Sequence, residues 1–120
     1  AITVAGAQAG DGAAQEMRCR EEGLGIHAAI LAVHTTGIRP EQAAAIAESC
    51  DLVWSCASKA VREVVGNSAL LQIGITIPVF ALTGMGKRLI LNHAQHFEGQ
   101  LVLGRAYLPA LERRQPEPLK

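Results

Sequence analysis

The sequence predicts an α/β fold built on a mostly parallel sheet, and three observations carry that expectation. Short apolar, β-branched runs alternate with stretches of helical spacing. One of those runs, Ile26 to Val33, is apolar almost throughout, as a strand covered on both faces is. Three runs also end in compact polar clusters: His34-Thr35-Thr36-Gly37, Ser55-Cys56-Ala57-Ser58-Lys59 and Thr83-Gly84-Met85-Gly86-Lys87. If the runs are parallel strands, all three clusters lie along one carboxyl edge, where open α/β sheets bind ligands.

Taken in order, Ile2 to Ala5 reads as a strand, Gly6 to Gly12 as a glycine-containing turn and Ala13 to Glu22 as a polar helix ended by Gly23 and Gly25. Ile26 to Val33 is then the second, central strand. Thr36 to Gln42 supplies a Thr-Gly turn and a proline near a helix start, and Ala43 to Cys50 continues that helix. Asp51 opens a third strand, Leu52-Val53-Trp54. Ser55 or Cys56 would cap the following helix, which carries Val61, Val64 and Val65 on one side and Lys59, Arg62 and Glu63 on the other, and stops at Gly66-Asn67.

Ala69 to Ile73 and Ile77 to Leu82 both look like strands, yet too few residues separate them for a parallel crossover. Either they form a hairpin or one is irregular, and Pro78 suits the start of a strand. Lys87 to Phe97 is an amphipathic helix and Gln100 to Leu103 a short strand. The whole reads as a three-layer Rossmann-like sandwich that can take an antiparallel edge strand. Residues 1–98 form the α/β domain, expected to be the C-terminal part of a longer protein, and 99–120 form an extension ending in a frayed, Pro-rich RRQPEPLK.

At 120 residues, one core is expected. Eleven basic residues balance eleven acidic ones, so no global field draws nucleic acid or an anionic membrane. Three scattered cysteines make no secreted disulfide framework and point to a reducing cytoplasm. The uncharged stretch from Val64 to Gly86 is as long as a membrane span, but its internal glycines, Asn67, Gln72 and Pro78 make it buried strand and turn.

The polar clusters hold the candidate chemistry. In TGMGK, glycines after a strand and before a helix let backbone N–H groups approach an anion, with Lys87 adding charge. It is not a P-loop, because Gly84 is only two residues before Gly86 and Arg88 stands where Ser/Thr would hold magnesium. A tight turn explains the same glycines. Cys56, expected at a helix N-terminus with Lys59 three residues on, has the surroundings of a reactive thiol, although cysteine is more often simply a small buried residue. His34 ends the second strand and would meet Cys56 if their strands are neighbours, giving a thiol and a base. Thr35 and Thr36 would bind a carboxylate or phosphate, or cap the next helix. Cys50 and Cys56 lack a metal spacing, and His93 and His96 lack the glutamate of a zinc helix, so no metal site is expected. Whether a cofactor is bound is unknown from the sequence.

At these residues the chain resembles a known family. ITVAGA, AVHTTGI, SCASKAVREVVG, ALLQIG and IPVFALTGMGK, in order between Ile2 and His96, are similar to the C-terminal half of the methanogenesis marker protein 8 family, archaeal proteins of unassigned biochemical role. The resemblance implies the cytoplasm of a methanogen and support of methyl-coenzyme M reductase or another methanogenesis enzyme. It supplies no catalytic residue. The expected function is therefore binding of a small anionic ligand at an edge formed by Thr35, Thr36, Cys56, Ser58, Lys59, Thr83, Gly84, Gly86 and Lys87. The alternatives are an accessory protein docking on methanogenesis enzymes and a thiol-dependent enzyme using Cys56 and His34.

Overall fold

A computed structural model describes residues 2–6 and 8–104; the expected frayed tail lies outside the described residues. Six strands form one sheet: β1 (Ile2–Ala5), β2 (Ile30–Val33), β3 (Leu52–Trp54), β4 (Leu71–Ile73), β5 (Val79–Ala81) and β6 (Leu103–Gly104), in the order β1-β2-β3-β5-β4-β6. β1, β2 and β3 are parallel, with Ile2 beside Ile30 and Leu31 beside Leu52. From β3 onward every pairing is antiparallel.

The α/β class therefore holds, but the mostly parallel sheet does not. Antiparallel pairing begins in the interior of the sheet, between β3 and β5, rather than at an edge strand. The cause is chain length: residues 74–78 between β4 and β5 are too few for a crossover, so the two strands form a hairpin. The hairpin inserts with β5 innermost because β5 carries the more buried side chains, Phe80 and Ala81, whereas β4 buries only Leu71.

Helices flank both faces. On one face lie α1 (Ala14–Leu24), α2 (Pro40–Ser49) and α3 (residues 59–68), over a core that includes Ile30, Ala43, Ile46, Val53, Val61 and Phe80. On the other lies α4 (Gly84–His96), over Leu52, Leu71, Ala81 and Ile90. Successive strand residues serve opposite layers, Leu52 and Ala81 under α4, Val53 and Phe80 under the other helices, as a pleated strand requires.

Several boundaries move for identifiable reasons. The second strand starts at Ile30, not Ile26, because β1 offers a partner only from there and Ile26 and His27 are exposed. The expected turn at Gly6 to Gly12 is partly a kinked π-helical segment, Ala9–Ala13, running into α1. A Cβ on Gly10 would come within 2.2 Å of Gln42 Cβ, so only glycine lets α2 pack there. Pro40 stands at the first turn of α2 and Gln42 Oε1 accepts the Arg39 N–H (2.9 Å). α3 contains a π-helical stretch, Val61–Val65. Its cap is neither Ser55 nor Cys56 but Ser58, whose Oγ accepts the Val61 N–H (3.2 Å).

Candidate functional site

The topology separates the three polar clusters. His34–Gly37 and Ser55–Lys59 follow parallel neighbours and share the carboxyl edge of β1–β3. β5 runs the other way, Ala81 beside Leu52, so Thr83–Lys87 lies at the opposite, amino edge of β3. The expectation of one convergent edge is corrected here. It assumed that the strand before TGMGK was parallel, and the short 74–78 connection reverses it.

At the amino edge, Thr83 caps α4: its Oγ1 accepts the Gly86 N–H (3.2 Å) and donates to the Asp51 carboxylate. A Cβ on Gly86 would lie 2.0 Å from the Asp51 carbonyl oxygen. Gly86 thus permits α4 to touch the β3 backbone. Asp51 is 3% exposed and also accepts the Ile30 N–H (2.8 Å) and pairs with Arg18 (2.8 Å). Burial pushes its carboxyl up, but the Thr83 hydroxyl, the Ile30 amide and the Arg18 guanidinium more than offset this and hold it below the usual carboxylate range. Arg18 binds Glu21 as well (2.6 Å), and the Ala28 N–H with Arg18 lowers the Glu21 carboxyl. This clasp was not anticipated, because its members are brought together only by the fold.

The carboxyl edge is built differently. β2–β3 register, continued past the strands, sets His34 opposite Ser55 and one residue from Cys56. Both His34 (φ 57°) and Cys56 (φ 47°) have left-handed backbones, the only non-glycine residues to do so among the described ones. Thr35 is fully buried, and its hydroxyl lies within reach of the Trp54 (2.6 Å) and Ser55 (3.0 Å) carbonyls. Thr36 Oγ1 accepts the Ala57 N–H (3.4 Å). The two turns are therefore stitched to each other. Gly6, ending β1, donates to the Val33 carbonyl (2.7 Å) and completes the edge.

Of the expected site residues here, Thr35 and Ser58 are buried and occupied as tie and cap, whereas His34, Thr36 and Lys59 are exposed and Cys56 is half-buried. A cleft of about 400 Å³ opens between the N-termini of α2 and α3, lined by Gly37, Ile38, Pro40, Ala57 and Lys59, with Glu63 3.6 Å from the Lys59 ammonium. Arg62, on the side of α3 away from Val61 and Val65, donates from Nη2 to the Cys56 (3.1 Å) and Thr76 (2.8 Å) carbonyls. Nothing local in the sequence signals this, since the acceptors are backbone atoms.

The other cysteines stand apart: Cys19 is exposed on α1, and burial, then the Asp51 charge, pushes the Cys50 thiol up to about 12. His93 packs against the Phe97 ring and lines an apolar recess of about 330 Å³ with Trp54 and Val79. No group of three or more potential metal ligands occurs among the described residues. Among them, too, no helix is long and apolar enough to cross a membrane.

Over 87 residues the chain is 42% identical to uncharacterized protein MJ0054 of the methanogen Methanocaldococcus jannaschii. The match covers 72% of this chain and 30% of that relative, so the chain spans less than a third of the relative's length. No solved structure matches. Residues 1–95 match the model of a family of uncharacterized proteins conserved in archaea (DUF2099), and the chain belongs to that family.

Proposed function

We propose that the carboxyl edge of β1–β3 binds a small anionic ligand, held by Thr36, Lys59 and the first turns of α2 and α3, with His34 and Cys56 on its rim. The observation that carries this is the pair of left-handed, non-glycine backbones at the ends of neighbouring strands. Each costs on the order of 1–3 kcal/mol, and such outliers cluster where geometry serves a ligand rather than stability. Two helix N-termini meeting at one cleft favour negative charge, and the Lys59 ammonium, held at 3.6 Å by Glu63 in a weak exposed pair, is within the same lining and free to turn to a ligand.

Titration calorimetry with inorganic phosphate, nucleotides and coenzyme M tests the reading. At least one should bind, and Lys59→Ala should weaken it about tenfold, the loss of one charge-assisted contact. No heat from any of them sinks the proposal.

A second reading, thiol-dependent chemistry with Cys56 as nucleophile and His34 as base, draws support from the adjacency of their strands. The setting we infer, support of methyl-coenzyme M reductase or another methanogenesis enzyme in the cytoplasm, rests on the resemblance to methanogenesis marker protein 8 and on a relative from a methanogen.

A further inference from the structure

The geometry points to Arg62 as the positioning residue of this edge: it holds Cys56 in its left-handed turn and couples that turn to the β4–β5 loop. The inference rests on the reading of the carboxyl edge as the site. One guanidinium nitrogen, Nη2, reaches both the Cys56 carbonyl (3.1 Å) and the Thr76 carbonyl (2.8 Å). These acceptors lie 6 and 14 residues away, on two loops otherwise joined at their base by the Ser55 N–H donating to the Pro78 carbonyl (3.0 Å).

The arrangement is poor as a stability device. Arg62 Nε is buried and has no hydrogen-bond partner, and an unmet buried donor costs on the order of 1–3 kcal/mol. The turn it braces is itself strained. Arg62 sits in the π-helical stretch Val61–Val65, where the Gly66 N–H bonds back to Val61, and such widened turns are frequent at functional sites. An unpaired donor, a strained acceptor turn and a widened helical turn meet at one side chain, as expected where geometry is held for a purpose other than folding.

The loop on the far side of this brace is unusually apolar. Ile75 and Ile77, flanking Thr76, are 69% and 58% exposed. A displacement of the Thr76 carbonyl would bear on the Cys56 turn through Arg62, above the Ser55–Pro78 bond at the base of the loop.

The three cysteines give an internal test: Cys19 is exposed, Cys50 is buried and Cys56 is half-buried. Iodoacetamide labelling of the folded protein near pH 9.5, above the ordinary thiol pKa of about 8.5, makes the rates insensitive to loss of a nearby charge. Peptide mapping then reads all three sites in one sample. Arg62→Ala should raise the Cys56 rate relative to Cys19 by about fivefold or more, the factor matching about 1 kcal/mol of left-handed backbone cost. Cys50 should stay unlabelled.

Arg62→Lys keeps the charge but not the planar fork, so it should shift the ratio in the same direction and by less. It decides the matter if Arg62→Ala exposes Cys50. An unchanged ratio with Cys50 protected overturns the inference, and so does labelling of Cys50 in both variants, which would make Arg62 a prop of the whole fold. Labelling is read without ligand, so a failed phosphate titration leaves this result standing. A flat ratio, conversely, leaves His34 and Lys59 as binding groups.

Discussion

The two ends of β3, separated only by Leu52, Val53 and Trp54, are organised on opposite principles. At the amino edge, Asp51 is buried and its carboxylate is matched by an amide, a hydroxyl and a guanidinium. At the carboxyl edge, Cys56 and His34 hold strained backbones and their neighbours Thr36 and Lys59 face solvent. A satisfied, buried network stabilises, whereas strain and exposure cost stability, which is why we propose the carboxyl edge and not the amino edge as the binding site. The contrast also reassigns TGMGK, whose glycine and threonine are accounted for by close packing and capping at the stable edge.

The sharpest way to break this contrast is Gly86→Ala. Its Cβ would meet the Asp51 carbonyl at 2.0 Å, a backbone contact that cannot rotate away. Overpacking of this kind should cost about 3 kcal/mol, read as a lower urea midpoint. A variant within 1 kcal/mol of the parent, on the order of an ordinary surface change, would mean that α4 is not seated on β3.

Asp51→Asn comes next. Arg18 keeps Glu21 at 2.6 Å but loses its contact with a buried carboxylate, which should cost about 2 kcal/mol near neutral pH, the range of a hydrogen bond to a charged group. Because the folded carboxyl lies below its unfolded value of about 3.9, its contribution is complete above that value and is lost as pH falls through the folded one. The gap between parent and Asn variant, measured by urea unfolding at pH 6 and pH 3, should therefore narrow in acid. A gap that widened would put the clasp's charge in the wrong place.

The smallest effect has the opposite sign. His34→Gly should stabilise the protein by about 1 kcal/mol by relieving a left-handed backbone, since the imidazole is exposed and little packing is lost. The same variant should weaken anion binding. Loss of stability instead would erase the distinction between the two edges.

Much of the fold was legible locally. Ile2–Ala5, Leu52–Trp54 and the helices around Ala43 and Ile90 follow from apolar periodicity and from capping residues near their ends. The shortness of the 74–78 link already excluded a parallel crossover between β4 and β5. What it could not show was that β5, not β4, lies beside β3, since that depends on which strand buries more against two layers at once. The site was half legible for the same reason. His34 and Cys56 stood out as residue types at strand ends, while the ties through Thr35 and Arg62 run to carbonyl oxygens, which every residue has.

By itself, the sequence determined the α/β class, most helix and strand positions and the two turns worth attention, because propensity, capping and periodicity act within a few residues. Tertiary structure alone decided the strand order, and with it that TGMGK sits across the sheet from His34 and Cys56. Strand order is a property of pairing between distant segments, and reversing one strand moves every group at its end to the opposite edge.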